Sequence, residues 1–169
     1  EAVASLPKVE RTADALYNAA LLHEALGRFD AAIAARRRYV EMNAAAKDAH
    51  EVFFAVGPLL ERQGRKKEAT AHYDEYLKRW PELELVRTLE AHLRAGRLDQ
   101  VIALFKEKKQ APATPAAAHA AEARFLQAEA IYAEFEAVTL NVPETKIKQA
   151  VLAKKAKMEL AVKGYVEVV

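Results

Sequence analysis

Apolar and polar residues recur along the chain with the spacing of amphipathic helices, and three short Gly-Arg segments interrupt this pattern. They are Gly27-Arg28, Gly64-Arg65 and Gly96-Arg97. A helical stretch of about fourteen residues precedes each glycine, and a second amphipathic stretch follows it. Runs in which Val, Ile or Thr alternate with polar residues are few. The pattern therefore predicts an all-α fold built from pairs of helices that are joined at glycines.

The Gly-Arg segments belong to an internal repeat. Gly27 and Gly64 are 37 residues apart, and Gly64 and Gly96 are 32 apart, which brackets a period of about 34 residues. We expect each glycine to end the first helix of its unit in the left-handed conformation. A small apolar residue follows four places after each arginine, where we expect the two helices to cross: Ala32, Ala69 and Val101.

The repeat resembles the tetratricopeptide repeat, a helix–turn–helix unit of about 34 residues. The second unit matches best, at Phe53, Val56, Gly57, Gly64, Ala69, Tyr73, Tyr76 and Pro81. The first matches at Leu16, Ala19, Ala20, Gly27, Phe29, Ala32 and Tyr39. The third, in which Leu89 replaces the usual small residue, matches at Leu85, Gly96, Val101 and Phe105. The resemblance implies a right-handed α-solenoid in which neighbouring units stack.

The resemblance and the loop signals divide the chain. Residues 1–12 lead into the first unit, and three units cover residues 13–110, at about 13–47, 50–81 and 82–110. Two prolines predict a loop at 111–115. Residues 116–169 are expected to form a longer, repeat-like helical hairpin, with helices from about Ala116 to Val138 and from about Glu144 onwards. Because the last apolar run has no cap, we expect repeats to continue beyond it.

Composition narrows the range of functions. Hydrophobic residues make up 52% of the 169 residues and charged residues 30%, while the net charge is only +2. That small net charge argues against nucleic-acid binding as the main function. No apolar run approaches the length of about eighteen residues that spans a bilayer, so we expect no membrane span. Phosphate-binding glycine loops and nucleophile elbows are missing, and Ser5 is the only serine. We therefore expect no enzyme, no catalytic residues and no cofactor.

In a stack of such units the first helix of each unit lines the concave face. By helical phase, the positions assigned to partner binding are Tyr17, Leu21, Glu24, Phe54, Glu61, Val86 and Arg94. The apolar members would form a strip rimmed by charges, on which a peptide helix or an extended segment docks. The alternative is that the last two long helices fold back and fill this groove.

Some members of the family bind chaperones by holding a C-terminal carboxylate with a lysine and asparagines. Here Tyr17 and Leu21 stand where that clamp needs a lysine and an asparagine. The clamp is therefore absent, and the sequence does not favour a chaperone adaptor.

Two further chemistries have candidate residues. Arg36-Arg37-Arg38 is the densest basic run, and the last helix adds Lys154, Lys155, Lys157 and Lys163. These side chains would bind a polyanion or form a solvated helix face; we favour the solvated face because no aromatic residues interleave them. The five histidines, His23, His50, His72, His92 and His119, form no His-Glu-x-x-His pair. We interpret them as structural and expect no metal site, which leaves a metal-binding helical enzyme as the least favoured alternative.

The sequence thus predicts a scaffold that binds another protein or a peptide segment, within a larger complex. The ending from Lys148 to Val169 is also similar to long tetratricopeptide proteins of the myxobacterial cell envelope, including components of gliding machinery. This second resemblance implies an envelope or motility assembly. It favours the bacterial periplasm or cell envelope over the cytoplasm.

Overall fold

The computed structural model describes residues 10–81 and 84–168, and this part of the chain is helical without strands. The helices are α1 (Glu10–Ala25), α2 (Phe29–Met42), α3 (Ala49–Phe54), α4 (Val56–Arg62), α5 (Lys66–Arg79), α6 (Leu85–Arg94), α7 (Leu98–Glu107), α8 (Pro115–Ala137) and α9 (Glu144–Val166). Only Ala55 separates α3 from α4, and its φ of −61° and ψ of −8° stay close to helical values. The all-α prediction is confirmed. Most of the segment expected to lead into the first unit, residues 1–9, lies outside the described residues.

The chain divides into two compact units, residues 1–83 and 84–169. In the first unit α1 packs on α2, α2 packs on α3 and α4, and α4 packs on α5. In the second unit α6 packs on α7, both pack on α8, and α8 packs on α9. Each helix thus buries its apolar face against other helices of its own unit, as short amphipathic helices must.

The Gly-Arg segments form three turns of the same kind. Gly27, Gly64 and Gly96 have φ angles of 68°, 71° and 75°, in the left-handed region that glycine adopts at little cost. In the first turn the backbone N–H of Arg28 donates to the carbonyl of His23 at 2.8 Å, five residues back, as in a Schellman motif. The carbonyl of Arg28 then accepts from the Ala32 N–H at 3.0 Å and begins α2. The predicted left-handed glycine turns are confirmed.

Aromatic rings form the core of the first unit. Tyr73 and Tyr76 of α5 are fully buried, and the ring of Phe53 stacks on that of His72 with centroids 4.2 Å apart. Gly57 lies against the ring of Tyr73, and a Cβ atom at this position would overlap the ring. The absence of a side chain at position 57 therefore lets α4 and α5 approach closely.

Aliphatic residues from α6, α7 and α8 form the core of the second unit. Its buried members are Leu89, Leu93, Val101, Ala116 and Ala123. Thr114 caps α8, because its hydroxyl accepts from the Ala117 N–H at 3.2 Å, and Pro115 occupies the first turn, where a missing N–H costs little. No helix in the described part of the chain is both long enough and apolar enough to cross a membrane.

Candidate functional site

A groove with a volume of about 260 Å³ runs between α1 and α3 in the first unit. Its floor is made of buried side chains, and its rim is made of exposed ones. The lining residues are Tyr17, Ala20 and Leu21 of α1, Arg36 of α2, Asp48 before α3, and Glu51, Val52 and Ala55 along and after α3. The groove therefore combines an apolar base with charged groups at its edges.

Tyr17 and Leu21 form the α1 rim of the groove. They are one turn apart on the same helix face, and their exposed fractions are 43% and 45%. The preceding residues Leu16 and Ala20 are buried, and Ala20 contributes to the base of the groove. The Tyr17 ring also lies 6.2 Å, between centroids, from the ring of Tyr39 on α2. The structure thus places two of the predicted partner-binding residues together on an accessible edge.

Tyr39 fixes the segment that begins α3. Its hydroxyl donates to Asp48 and lies 2.9 and 2.8 Å from the two carboxylate oxygens. Burial, and then the hydrogen bond and charge of Asp48, raise the pKa of Tyr39 to about 12. The phenol therefore stays protonated and remains a donor at neutral pH, which holds the Asp48 carboxylate at the edge of the groove.

Arg36 is the buried cation of this site, with an exposed fraction of 7%. Its Nη2 donates to Oε2 of Glu24 at 2.6 Å, and Oε1 of the same carboxylate lies 3.6 Å from Nη1 of Arg62. Nη1 of Arg36 is buried and has no hydrogen-bond partner among the described residues. Glu24, predicted to meet a binding partner, is thus engaged by two arginines of its own unit.

The burial of Arg36 changes the interpretation of the Arg36–Arg38 run. Arg37 and Arg38 are exposed, and Arg38 Nη1 donates to Glu41 at 3.3 Å, but Arg36 turns inward. The signal for this was present in the sequence, because Arg36 shares a helix face with the apolar residues Ile33 and Val40. The three arginines therefore do not form one continuous cationic surface.

Phe54 does not lie on an open face, and the prediction that it is exposed is wrong. Its exposed fraction is 5%, and its ring packs 5.4 Å from that of Tyr73 and 5.0 Å from that of Tyr76. The reason is that α3 contacts α2 on one side and α5 on another. A helix packed on two sides buries consecutive residues, so phase within one amphipathic helix misplaces them.

The remaining predicted partner-binding residues have local contacts. Glu61 accepts a hydrogen bond from the buried Tyr73 hydroxyl at 3.1 Å, which ties α4 to α5. On α6 of the second unit, Val86 is partly buried against the aliphatic core. Arg94 on the same helix donates through Nε to Glu90 at 3.0 Å. Sequence reasoning missed Val52 and Asp48, which line the groove although neither lies on α1.

The histidines differ in their surroundings. His72 is buried, and its Nε2 lies 2.8 Å from the carbonyl oxygen of Phe53. Burial lowers the pKa of His72, and the charge of Arg37 lowers it further. Burial also lowers the pKa of His92. Within residues 10–81 and 84–168, no three His, Asp or Glu side chains converge in a way that would hold a metal ion.

A larger cavity of about 710 Å³ lies in the second unit. Phe105, Pro112 and several alanines of α8 line it, together with Arg124. The guanidinium of Arg124 donates to the backbone carbonyl of Glu167 beyond the end of α9, and so already has an acceptor. We therefore favour the smaller α1–α3 groove as the candidate site, because its buried cation has a donor without an acceptor.

Comparison with known proteins adds no relative: no family model matches the chain, and a search of the curated proteins finds no significant match. The resemblance to tetratricopeptide repeats therefore rests on the repeated residues and their turn geometry.

Proposed function

We propose that the chain is a scaffold of tetratricopeptide type, a right-handed α-solenoid that binds a peptide segment of another protein in the α1–α3 groove. The observation that carries this proposal is the pairing of two half-exposed apolar anchors, Tyr17 and Leu21, with a buried floor. Such anchors bring a large contact area and lose little rotamer freedom on binding. The proposed role is binding, not catalysis.

The repeat geometry supports the scaffold part of the proposal. Three turns have the same glycine conformation, and within each unit successive helices pack on one another. Short helix pairs of this kind are stable when they stack, and stacking creates extended binding surfaces. The same role within a bacterial envelope or motility assembly remains part of the proposal, since the similarity of the last helix suggests it.

The test compares capture of partners by the full chain and by two variants. Leu21→Glu places a charge in the groove. Leu22→Glu is the matched control, because Leu22 is the next residue of α1, is 65% exposed and does not line the groove. Both variants are first checked for folding by circular dichroism. Each captured protein is then purified, and its affinity for all three chains is measured.

We expect Leu21→Glu to lower the affinity of a direct partner at least about tenfold, because it places a charge in the groove. A tenfold loss corresponds to about 1.4 kcal/mol of binding free energy. Its affinity for Leu22→Glu should remain close to that of the unchanged chain. Equal affinity for all three chains would contradict a function of this groove.

A further inference from the structure

We propose that the α1–α3 groove selects a segment with an apolar anchor next to a basic residue, and that a backbone carbonyl of this segment accepts a hydrogen bond from Nη1 of Arg36. The inference rests on the proposed function and specifies the chemistry of the partner. It excludes an acidic segment or a free C-terminal carboxylate as the preferred ligand.

The first step of the argument is the incomplete hydrogen bonding of Arg36. A guanidinium carries five N–H donors, and Nη2 of Arg36 donates to Glu24. Nη1 is buried without an acceptor in the described part of the chain, although Arg36 lines the groove. Buried polar groups are almost always satisfied, so a ligand that supplies an acceptor removes an unfavourable feature of the free protein.

The second step is the choice between a neutral acceptor and a charged one. The buried charge of Arg36 is paired with Glu24 at 2.6 Å, and the second arginine at this carboxylate, Arg62, lies 3.6 Å away in an exposed position. A ligand carboxylate at Nη1 would therefore lie close to Glu24, and it would also enter a groove lined by Asp48 and Glu51. Like charges at such distances repel and suppress the wrong partner. A peptide carbonyl supplies the acceptor without this repulsion.

The third step concerns access to Nη1. This atom is shielded from solvent, and we infer that a side chain at the edge of the groove changes rotamer when a carbonyl reaches it. Tyr17 and Leu21 are both close to half exposed and are only partly held by packing. Rotamer changes of this kind are common when interfaces form. The apolar anchor of the ligand would occupy the space that the moving side chain leaves.

The fourth step is the charge of the rim. Asp48 and Glu51 line the α3 side of the groove. Asp14 is exposed on α1, three residues before Tyr17, and its charge contributes to the raised pKa of Tyr39. These carboxylates favour a lysine or arginine beside the anchor, and they raise the association rate of a basic segment at low salt.

The test uses four pools of short peptides, each with a central Leu, Phe or Met and a fluorescent label. Binding is measured by fluorescence anisotropy. Three pools have blocked ends and carry Lys, Ser or Glu beside the anchor, and the fourth has Ser neighbours and a free C-terminal carboxylate. We expect the Lys pool to bind the full chain most tightly, about tenfold more tightly than the Glu pool, with a smaller difference at high salt. Preference for the Glu pool or for the free carboxylate would overturn the inference.

Two variants separate the charge from the hydrogen bond. Glu51→Gln should weaken the Lys pool selectively. Arg36→Lys keeps a cation beside Glu24 but removes Nη1, and should weaken the Lys and Ser pools alike by about fivefold. Unchanged binding by Arg36→Lys would overturn the role of Nη1. If this variant does not fold, ¹⁵N-arginine spectra of the unchanged chain replace it, and the Arg36 guanidinium signals should shift and exchange more slowly when the Lys pool is added.

Failure of the inference and failure of the proposed function give different results. Tight binding of the Glu pool that is lost in Leu21→Glu would overturn the inference and leave groove binding in place. Binding of every pool that survives Leu21→Glu, or no binding by any pool, would overturn both.

Discussion

Nη2 of Arg36 on α2 lies 2.6 Å from Oε2 of Glu24 on α1, and this ion pair joins the two helices beside the candidate groove. The guanidinium is buried, whereas the carboxylate is partly exposed. A buried charge that loses its partner is strongly destabilising, while an exposed pair contributes little. The pair therefore holds the groove together and also leaves Nη1 in place without an acceptor.

Replacing Glu24 tests the structural part of this role. We expect Glu24→Ala to lower the free energy of unfolding by about 2 kcal/mol, less than for a fully buried pair because Glu24 is partly exposed. Arg62→Ala is the control, because Arg62 contacts the same carboxylate at 3.6 Å from an exposed position, and should cost less than about 1 kcal/mol. Urea unfolding of both variants gives the comparison. Equal losses of unfolding free energy in Glu24→Ala and Arg62→Ala would show that the burial of Arg36 does not strengthen its ion pair with Glu24.

The close approach of Gly57 to Tyr73 gives a second prediction. A Cβ atom at position 57 would overlap the end of the Tyr73 ring, so Gly57→Ala should cost about 3 kcal/mol despite the better helix propensity of alanine. In a Tyr73→Leu background the obstructing ring atoms are gone, and Gly57→Ala should cost less than about 1 kcal/mol. Denaturant unfolding of the four chains yields the coupling energy.

Gly64→Ala separates this steric effect from backbone strain. Nothing lies within 4 Å of a Cβ at Gly64, but φ is +71°. Gly64→Ala should lower the free energy of unfolding by about 1 kcal/mol, and this loss should not depend on the residue at position 73. A coupling near zero between Gly57 and Tyr73 would contradict the predicted overlap.

The local parts of the fold were predictable from the sequence. The glycine turns depend on a few adjacent residues, because glycine tolerates the left-handed conformation that the turn requires. The start of α9 at Glu144 matches the prediction. Helix α8 begins at Pro115, one residue before its predicted start at Ala116. Proline and a capping threonine act within one turn, so their effect can be recognised without knowledge of tertiary contacts.

The parts that depend on packing between helices were not predictable in the same way. Phe54 is buried because α3 contacts two helices, which the phase of one helix does not indicate. The apolar neighbours of Arg36 indicate burial, but its counterion lies twelve residues away on another helix. The missing acceptor at Nη1 depends on the positions of several side chains together. Only Tyr17 and Leu21 of the predicted partner-binding residues line the groove.

The α8–α9 hairpin of the second unit gives a third prediction. A Cβ atom at Gly164 would lie 3.0 Å from Cβ of Ala128, which is fully buried. Gly164→Leu should push α9 away from α8 and increase amide exchange along both helices, while exchange in the first unit stays unchanged. Lys163→Leu adds the same side chain at the neighbouring, exposed position and should leave exchange unaltered. Hydrogen exchange read by mass spectrometry tests this, and equal exchange in both variants would contradict close packing at Gly164.

The burial of His72 makes the stability of the first unit depend on pH. Burial lowers the pKa of His72, and the charge of Arg37 lowers it further. The hydrogen bond from Nε2 to the Phe53 carbonyl and the charge of Glu75 oppose this shift only in part. Below the ordinary value of 6.5, the unfolded chain therefore binds more protons than the folded chain. The free energy of unfolding should fall as the pH decreases from 7 towards the lowered pKa, by at most about 1.4 kcal/mol per pH unit for one histidine.

His72→Gln separates this contribution from that of other groups, because glutamine can donate to the Phe53 carbonyl but does not titrate. The pKa of His92 is also lowered by burial, so His92→Gln is made in parallel and as a double variant. Urea unfolding between pH 7.5 and 5.5 should show a smaller loss of stability for His72→Gln than for the unchanged chain, and the smallest loss for the double variant. If His72→Gln loses stability with the same slope as the unchanged chain, His72 does not titrate differently in the folded and unfolded states.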